Sequence, residues 1–349
     1  MFNKSIFKTA MLIFAANFLF NACTKQENEN TSSSAATIVG IEQMKVENGR
    51  IAFKNSAEFF KFTTDITGKS EDELNSWEKQ IGFKSLRKEL LDIYLSDNEP
   101  SSELKQFEDL HFPVGHLSVL NENGECLIGD TIILYSNGIK HFVPNKDEQM
   151  LEAIRTNPSV SKFKGTAGGK VIEENTPSSL VTLDGNAFDA RHQFQFTSQT
   201  YLGQTSQGPK KFVHELSSFA ECNDPWCNSV SSKLSLRIKF EYRSCPRFRS
   251  CTWRPASEYR FVTYNFTCTS QFFGSFPSGL PFSNTFAQTL SFVSQPGLRV
   301  NSEISMILAQ GGTLTQGPTH WDATVDGTIT QIMDGDVQSN KFINSGSLW

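Results

Sequence analysis

Strict alternation of apolar and polar side chains between Lys233 and Arg243 is the feature that most constrains the fold of this chain. Every second residue in this run is Leu, Ile, Phe or Tyr, and the residues between them are Lys, Arg, Ser or Glu. Because successive side chains of a β-strand point to opposite faces, this period of two predicts a strand with one buried face. We therefore expect a half-buried antiparallel strand here.

The same alternation recurs through the C-terminal half. It is repeated in the runs that contain Val262, Tyr264, Phe266 and Cys268, and Trp321, Ala323, Val325 and Ile329. Further apolar runs lie near residues 194, 212, 290 and 304, which gives roughly seven or eight strands, enough for a sandwich. The predicted fold class is α+β, in which a small helical and hairpin N-terminal region precedes an antiparallel, jelly-roll-like β-sandwich.

Residues 57–95 carry helical patterns. Ser56 is placed to cap a first helix, and Ser70 with Glu73 forms the sequence of a capping box. Apolar residues then recur at helical spacing in two helices, at Leu74, Trp77 and Ile81, and at Leu86, Leu90 and Ile93. A further, short helix is predicted over residues 100–110.

Two hairpins and one more helix are predicted after residue 110. The first hairpin would join residues 117–120 to 126–128 across the turn at 121–124. The second would join residues 131–136 to 139–143 across Asn137-Gly138, because Asn-Gly favours the positive φ angles of tight hairpin turns. A helix over 147–154 would follow.

The first 23 residues have the organisation of a secretory leader. Residues 1–8 contain Lys4 and Lys8 and no acid, residues 9–20 are almost entirely apolar, and Ala22 directly precedes Cys23. This leader resembles the signals of bacterial lipoproteins. The resemblance implies cleavage after Ala22 and a diacylglyceryl group with palmitate-type acylation on Cys23. It also implies attachment to the cell envelope at the outer membrane, on its periplasmic or surface-exposed face.

Four regions are therefore expected: a signal peptide over 1–22, a lipid-anchored flexible tether over 23–37, an α+β domain over 38–165, and a β-sandwich domain over 178–349. Residues 24–37 contain no apolar side chain larger than Ala, so they cannot bury enough surface to offset the entropy of ordering. Lys25, followed by Glu27 and Glu29, is similar to a surface-export tag of Bacteroidota lipoproteins. A generic solvated linker is an equal alternative.

A second resemblance covers about residues 70–155. The segments at 77–86, 120–125 and 128–132 are similar to uncharacterised secreted proteins and lipoproteins of Bacteroidota. The resemblance implies a domain of unknown function and adds no chemistry.

Six cysteines remain once Cys23 is assigned to the lipid. An even number in an oxidising compartment favours disulfides. Short loops suggest the pairs Cys222–Cys227 and Cys245–Cys251. The remaining pair would be Cys126–Cys268, and a free buried thiol at Cys126 is the alternative. Their spacing does not fit a zinc knuckle.

The charge distribution excludes one class of partner. Residues 1–180 hold 19 Lys and Arg against 25 Asp and Glu, and residues 181–349 hold 13 against 12. Neither half has the basic excess of a nucleic-acid binder.

Residues 233–260 hold eight basic residues against two acids. With Arg247, Arg249, Trp253 and Arg254, this stretch could bind an anionic glycan, lipid headgroups or an envelope protein, although the solvated face of a hairpin is the favoured interpretation.

No catalytic motif, metal site or cofactor site is predicted from the sequence. The turn at 184–189 offers oxygen ligands but lacks the later Glu of a calcium loop. The leading hypothesis is a lipid-anchored envelope protein with a binding or structural role. The competing class is a polysaccharide-acting hydrolase that uses acids distant in sequence, such as Glu215, Glu221 or Asp322.

Overall fold

The structure is a computed structural model that describes most of the chain from residue 44 onward. The described residues are 44–96, 98–170, 181–183, 191–197, 200–201, 204–205, 208–245, 250–256, 258–275, 281–293, 303–313, 319–336 and 340–348.

The helices of the described residues all end before residue 157. They are α1 (Ser56–Asp65), α2 (Glu71–Ile81), α3 (Leu86–Leu95), α4 (Ser102–Asp109), α5 (Val114–Val119) and α6 (Glu148–Thr156). Short 3₁₀ turns lie at Pro144–Lys146 and Pro158–Val160. None of these helices has the length and apolar character needed to cross a bilayer.

Local capping determines where these helices begin. The predicted capping box is confirmed: the Ser70 hydroxyl accepts from the Glu73 amide at 3.3 Å, and the Glu73 carboxylate accepts from the Ser70 amide at 2.8 Å. Gly82 ends α2 in the left-handed region, at φ 65°. The predicted cap at Ser56 is off by one residue, because the side chain of Asn55 accepts from the Glu58 amide instead.

The predicted strand at 117–120 is wrong, because this segment lies largely in helix α5. Pro113 precedes the helix with φ −61°, an angle compatible with a helix start. Gly115 packs so closely on α1 that an added Cβ would lie 1.8 Å from the Thr63 carbonyl oxygen. The side chains of Leu117 and Val119 are buried, as they would be in a strand. They are buried because α5 packs on α1 and α3.

The strands before residue 171 form one continuous ladder. They are β1 (Lys45–Glu47), β2 (Arg50–Phe53), β3 (Glu125–Ile128), β4 (Thr131–Ser136), β5 (Ile139–Val143) and β6 (Lys164–Lys170). Neighbours in this order pair antiparallel except β2 and β3, which are parallel. The β4–β5 hairpin is confirmed, with Asn137 at φ 52° and Gly138 at φ 74°.

The remaining strands belong to two larger, mainly antiparallel sheets and to one separate pair of strands. They are β7 (Val181–Leu183), β8 (Arg191–Thr197), β9 (Thr200–Tyr201), β10 (Gln204–Thr205), β11 (Pro209–Cys222), β12 (Val230–Ser244), β13 (Thr252–Pro255), β14 (Arg260–Ser275), β15 (Pro281–Val293), β16 (Glu303–Thr313), β17 (Thr319–Met333) and β18 (Lys341–Ser347). One sheet extends the first ladder through β11 and β12, while the other has the order β15-β14-β17-β18. Strand β7 pairs with β17 in parallel, and β9 pairs with β10 in a separate two-stranded sheet. The described chain is thus mostly β, broadly α+β with β-sandwich-like sheets; the jelly-roll connection stays a prediction.

The apolar face of β12 packs in the sandwich core, as its alternation predicts. Leu234, Leu236 and Ile238 are completely buried in one cluster with residues of the facing sheet, such as Phe272 and Trp321. The Trp321 indole N–H donates to the hydroxyl of Ser232 on β12 at 2.8 Å and so links the two sheets.

The polar face of β12 is not the solvated face that the sequence favoured. Lys233 on this face is completely buried, and its ammonium donates to the hydroxyl of Thr63 on α1 at 2.8 Å. On the adjacent strand β11, Phe219 and Glu221 also face the helices, because Phe219 joins the helical core and Glu221 bonds His116 of α5. The sheet is therefore covered on both faces, and a layer of charged side chains lies between helices and sheet. We call it the helix–sheet layer; it includes Glu215, Glu221, Lys233, Arg237 and Lys239.

Strand β6 joins the first ladder to the sandwich. Its residues 164–166 pair with β5, and its residues 167–170 pair with β11. The described residues from 44 to 348 accordingly belong to a single compact unit. The division predicted between residues 165 and 178 stays a prediction, since β6 continues through residue 165.

The two short-loop cysteine pairs expected from the sequence, Cys222 with Cys227 and Cys245 with Cys251, lie at disulfide distance. The third pair is not formed. Cys126 and Cys268 are both free and buried, and they lie in different core clusters. Burial of Cys126 among apolar neighbours fits the alternative of a free thiol.

Candidate functional site

A cleft of about 110 Å³ opens between the helices and the sheet, and we call it the helix–sheet cleft. Its lining residues are Thr67, Lys69, Glu71, Leu74, Arg87, Leu90, Leu91, Tyr94, Glu108, Phe112, Val114, Leu117, Arg237, Pro255, Glu303 and Ser305. The helices and the segments that join them supply all of its leucines, together with Phe112 and Val114. The strands β12 and β16 supply Arg237, Glu303 and Ser305. The helical side therefore combines apolar side chains with polar and charged ones, whereas the strand side is polar and charged.

Arg237 and Glu303 form the charged wall. The guanidinium of Arg237 binds both carboxylate oxygens of Glu303 at 2.7 Å, and it also contacts Glu215 at 3.3 Å. Burial alone would raise the pKa of Glu303, but Arg237 and the hydrogen bonds outweigh burial and lower it to about 2. The Ser305 hydroxyl donates to the same carboxylate. The two opposite charges on this wall thus neutralise each other.

Tyr94 and Glu108 lie on the helical side of the cleft. The Tyr94 hydroxyl donates to a Glu108 carboxylate oxygen. Burial raises the pKa of Glu108, and the opposing effects of Tyr94 and Arg237 do not cancel this rise. Burial, together with the nearby Glu108 charge, raises the pKa of Tyr94 well above its ordinary value. The cleft therefore contains two carboxyl groups whose pKa values are shifted in opposite directions.

A second charged cluster surrounds Glu221 in the same helix–sheet layer. Its carboxylate accepts from the Tyr135 hydroxyl at 2.6 Å and the Lys140 ammonium at 2.7 Å, and its other oxygen lies 3.0 Å from His116 Nε2. Burial would raise the pKa of Glu221, but Lys140 and His116 lower it well below its ordinary value. Burial lowers the pKa of His116 to about 4, so at neutral pH its Nε2–H tautomer donates to Glu221. This carboxylate is a fixed anion with three donors.

Lys233 lies between these clusters on β12. Its ammonium is 4.4 Å from the centre of the Phe60 ring and donates to Thr63. Burial lowers the pKa of Lys233 to about 7, an effect that the nearby Glu221 charge only partly offsets.

The three acids expected to form a hydrolytic site are not brought together. Glu215 and Glu221 lie six positions apart on β11, or roughly 20 Å along an extended strand. Asp322 lies on β17 of the facing sheet, opposite Gln271. Glu215 is held by Lys239 and Arg237, which outweigh the effect of burial and lower its pKa to about 2.

Of the predicted ligand-binding residues, the structure places Trp253 and Arg254 on β13. The Arg254 side chain is completely buried and donates to Glu99 at 2.6 Å, so it does not project from the surface. The Lys211 ammonium lies 4.3 Å from the centre of the Trp253 ring. Arg247 and Arg249, like Cys23 and the turn at 184–189, lie outside the described residues.

Sequence reasoning missed the residues that form the cleft. Tyr94, Glu108 and Glu303 come from α3, α4 and β16, and no local motif connects them. Among the described residues, no group of three or more His, Cys, Asp and Glu side chains has the geometry to hold a metal ion.

Comparison with known proteins gives little guidance. No family model matches the chain, and no curated protein matches it. Among solved structures, the crystal structure of a DUF4848 family protein from Bacteroides thetaiotaomicron matches with 13% sequence identity and a TM-score of 0.21. The alignment covers 86% of this chain and 98% of that chain. Similarity at this level supports no conclusion about fold or function.

Proposed function

We propose that this protein is a lipid-anchored envelope lipoprotein, held at the outer membrane through Cys23, that binds a ligand without transforming it. The ligand class we propose is a neutral, hydroxyl-bearing molecule such as a sugar residue, bound in the helix–sheet cleft. The observation that carries this proposal is the paired charge of Arg237 and Glu303 across the cleft from the four leucines of the helical side.

A sugar ring matches that division because it has an apolar C–H face and polar hydroxyl edges. Ligand sites in proteins combine apolar surface with placed polar groups, and the lining of this cleft offers both. Since the Arg237–Glu303 pair is already neutral, a charged ligand would have to break it, whereas hydroxyl groups can bond to its edges. Tyr94 and Glu108 add further polar atoms on the opposite wall.

The anionic-glycan alternative has less support from the described residues. It relied on basic side chains reaching solvent, and Arg254 is buried against Glu99. Arg237 and Lys239 also point into the helix–sheet layer, where they bind Glu215. A neutral ligand therefore fits better than an acidic one.

Titration calorimetry with a panel of neutral mono- and disaccharides tests the binding proposal. We expect Tyr94→Phe, which removes one hydroxyl from the lining, to weaken binding about three- to tenfold. Glu152→Gln is the matched control because Glu152 has a side chain that is 67% exposed and does not line the cleft. Unchanged affinity in the Tyr94 variant, or no sugar bound by the native chain, would refute the cleft as a sugar site.

The anchoring proposal has its own test. Intact mass spectrometry of the native protein should show a diacylglyceryl-modified N-terminal cysteine, and Cys23→Ser should release the protein from the membrane fraction. A native protein that carries no lipid at Cys23 would remove this part of the proposal and leave the cleft untouched.

A hydrolase is the second candidate, and the opposite pKa shifts of Glu108 and Glu303 favour it. A carboxyl with a raised pKa and one with a lowered pKa are the acid and base of many glycosidases. However, Arg237 and Ser305 both donate hydrogen bonds to Glu303, which favours a structural role for that carboxylate over a catalytic one. Release of nitrophenol from nitrophenyl glycosides by the native chain, lost in Glu108→Gln, would establish the hydrolase and displace the binding proposal.

A further inference from the structure

The turn between β11 and β12 presents a tryptophan to solvent on a firmly held support. Trp226 lies within the loop closed by Cys222 and Cys227, and its side chain is 64% exposed. It is among the most exposed large apolar residues of the described chain. Contact between a large apolar side chain and water is unfavourable. Exposed apolar patches therefore commonly mark interaction surfaces.

Hydrogen bonds hold the turn in place. One oxygen of Asp224 accepts from the amides of Trp226 and Asn228, both at 3.1 Å. Its other oxygen accepts from the amide of Ser229 at 3.0 Å. Asn223 bonds Ser229 and accepts from the hydroxyl of Ser231. The polar side chains around the tryptophan are thus engaged within the turn itself.

A neighbouring segment extends this surface with apolar and basic groups. The Phe163 ring lies edge-on to Trp226, with the ring centroids 6.1 Å apart. Lys162 and Lys164 on either side of Phe163 are exposed, and Val160 is 44% exposed. Gly165 brings this segment close to the turn, since an added Cβ would lie 2.4 Å from the Cys222 Cβ. We call Val160, Lys162, Phe163, Lys164 and Trp226 the Trp226 surface.

We propose that the Trp226 surface docks on an anionic lipid bilayer. The amphipathic indole of tryptophan favours the headgroup region of a membrane, and lysines beside it attract anionic lipids. Asp224 is the acid of the turn, so its charge offsets one of the two lysines and leaves a modest basic excess. The docking gives the folded body an orientation on the membrane, in addition to the attachment that the lipid anchor proposed above would supply.

The chemistry of this surface distinguishes a bilayer from a glycan. A sugar-binding tryptophan works with nearby polar side chains that hydrogen-bond to hydroxyl groups, and here Asn223, Asp224 and Asn228 bond within the turn. What remains exposed is an aromatic ring, a valine and two ammonium groups, a combination suited to the membrane interface.

The full chain with Cys23→Ser, which carries no acyl group, is the protein to test. We expect it to co-sediment with vesicles of phosphatidylglycerol and phosphatidylethanolamine more strongly than with phosphatidylcholine vesicles. Adding Trp226→Ala should lower the partition coefficient about tenfold. Val293→Ala is the matched control, because Val293 is also 64% exposed, and it should leave the coefficient unchanged.

The basic groups are tested separately. Lys162→Gln with Lys164→Gln should weaken binding by roughly fivefold for each charge, while Lys61→Gln with Lys105→Gln removes the same net charge elsewhere and should have a smaller effect. Equal vesicle binding with and without Trp226 would overturn the proposal. The absence of vesicle binding would also overturn it. In that case, a shift in tryptophan fluorescence on adding soluble polygalacturonate, lost in Trp226→Ala, would identify the surface as a glycan-binding site.

Discussion

Replacement of Glu221 by Gln tests whether the helix–sheet layer holds this fold together. Glu221 belongs to β11, while its partners Tyr135, Lys140 and His116 belong to β4, β5 and α5. Its side chain is only 2% exposed, and that of Lys140 only 3%. The cluster therefore links β11 to three other elements through one buried charge.

The expected cost is large because the substitution leaves a buried ammonium without its counter-ion. Removing one partner of a buried ion pair typically costs about 3–5 kcal/mol. The amide of Gln can still accept from Lys140 or Tyr135, but its NH₂ would then face the donor N–H of His116, since a neutral His116 donates through Nε2. We expect the free energy of unfolding to fall by about 3–5 kcal/mol.

Urea unfolding at pH 7, followed by fluorescence and circular dichroism, measures this change. Glu152→Gln, at a side chain that is 67% exposed, is the control and should alter stability by less than about 0.5 kcal/mol. The double variant Glu221→Gln with Lys140→Met should recover part of the loss, because it removes the uncompensated charge as well. A Glu221→Gln protein within about 1 kcal/mol of the native one would refute the assignment of the cluster as a structural link.

Three further predictions follow from the described contacts. Burial lowers the pKa of His116 to about 4 from 6.5, so the stability that depends on its neutral form should fall by up to about 3 kcal/mol as the pH drops from 6.5 towards 4, and His116→Gln should flatten this pH profile of urea unfolding. Gly165→Ala should destabilise the protein by about 1–3 kcal/mol because its Cβ would collide with Cys222, whereas Gly68→Ala, with open space around its Cβ, should have little effect on the melting temperature. In the Cys23→Ser chain, Ellman's reagent should detect no thiol until denaturation and then two, those of Cys126 and Cys268; a third or fourth thiol would contradict the two cysteine pairs.

Local signals in the sequence were sufficient for several elements of this fold. The capping box at Ser70 and the Asn137-Gly138 turn depend on contacts within four residues, and both are present as expected. The alternation at 233–243 correctly predicted a strand, because the period of side chains reports backbone conformation directly.

The same alternation could not reveal what covers the second face of that strand. Lys233 and Arg237 look like solvated residues in the sequence, but a helix covers Lys233 at Thr63 and the neighbouring strand β16 brings Glu303 to Arg237. The segment at 117–120 was mistaken for a strand because four apolar or small residues fit either period, and the contact between Gly115 and Thr63 that favours a helix spans 52 positions. The helix–sheet cleft was missed for the same reason, since it exists only where distant elements meet.

Strand β6 has a consequence for how a protein of this kind can evolve. Because its first residues pair with β5 and its last residues pair with β11, no cut in the gene separates the two halves cleanly. A fragment that kept β6 would present a bare strand edge, the partner fragment would lose the donors that surround Glu221, and both would be prone to aggregate. We therefore expect the two halves to be inherited together as one module, and not to be exchanged separately by recombination.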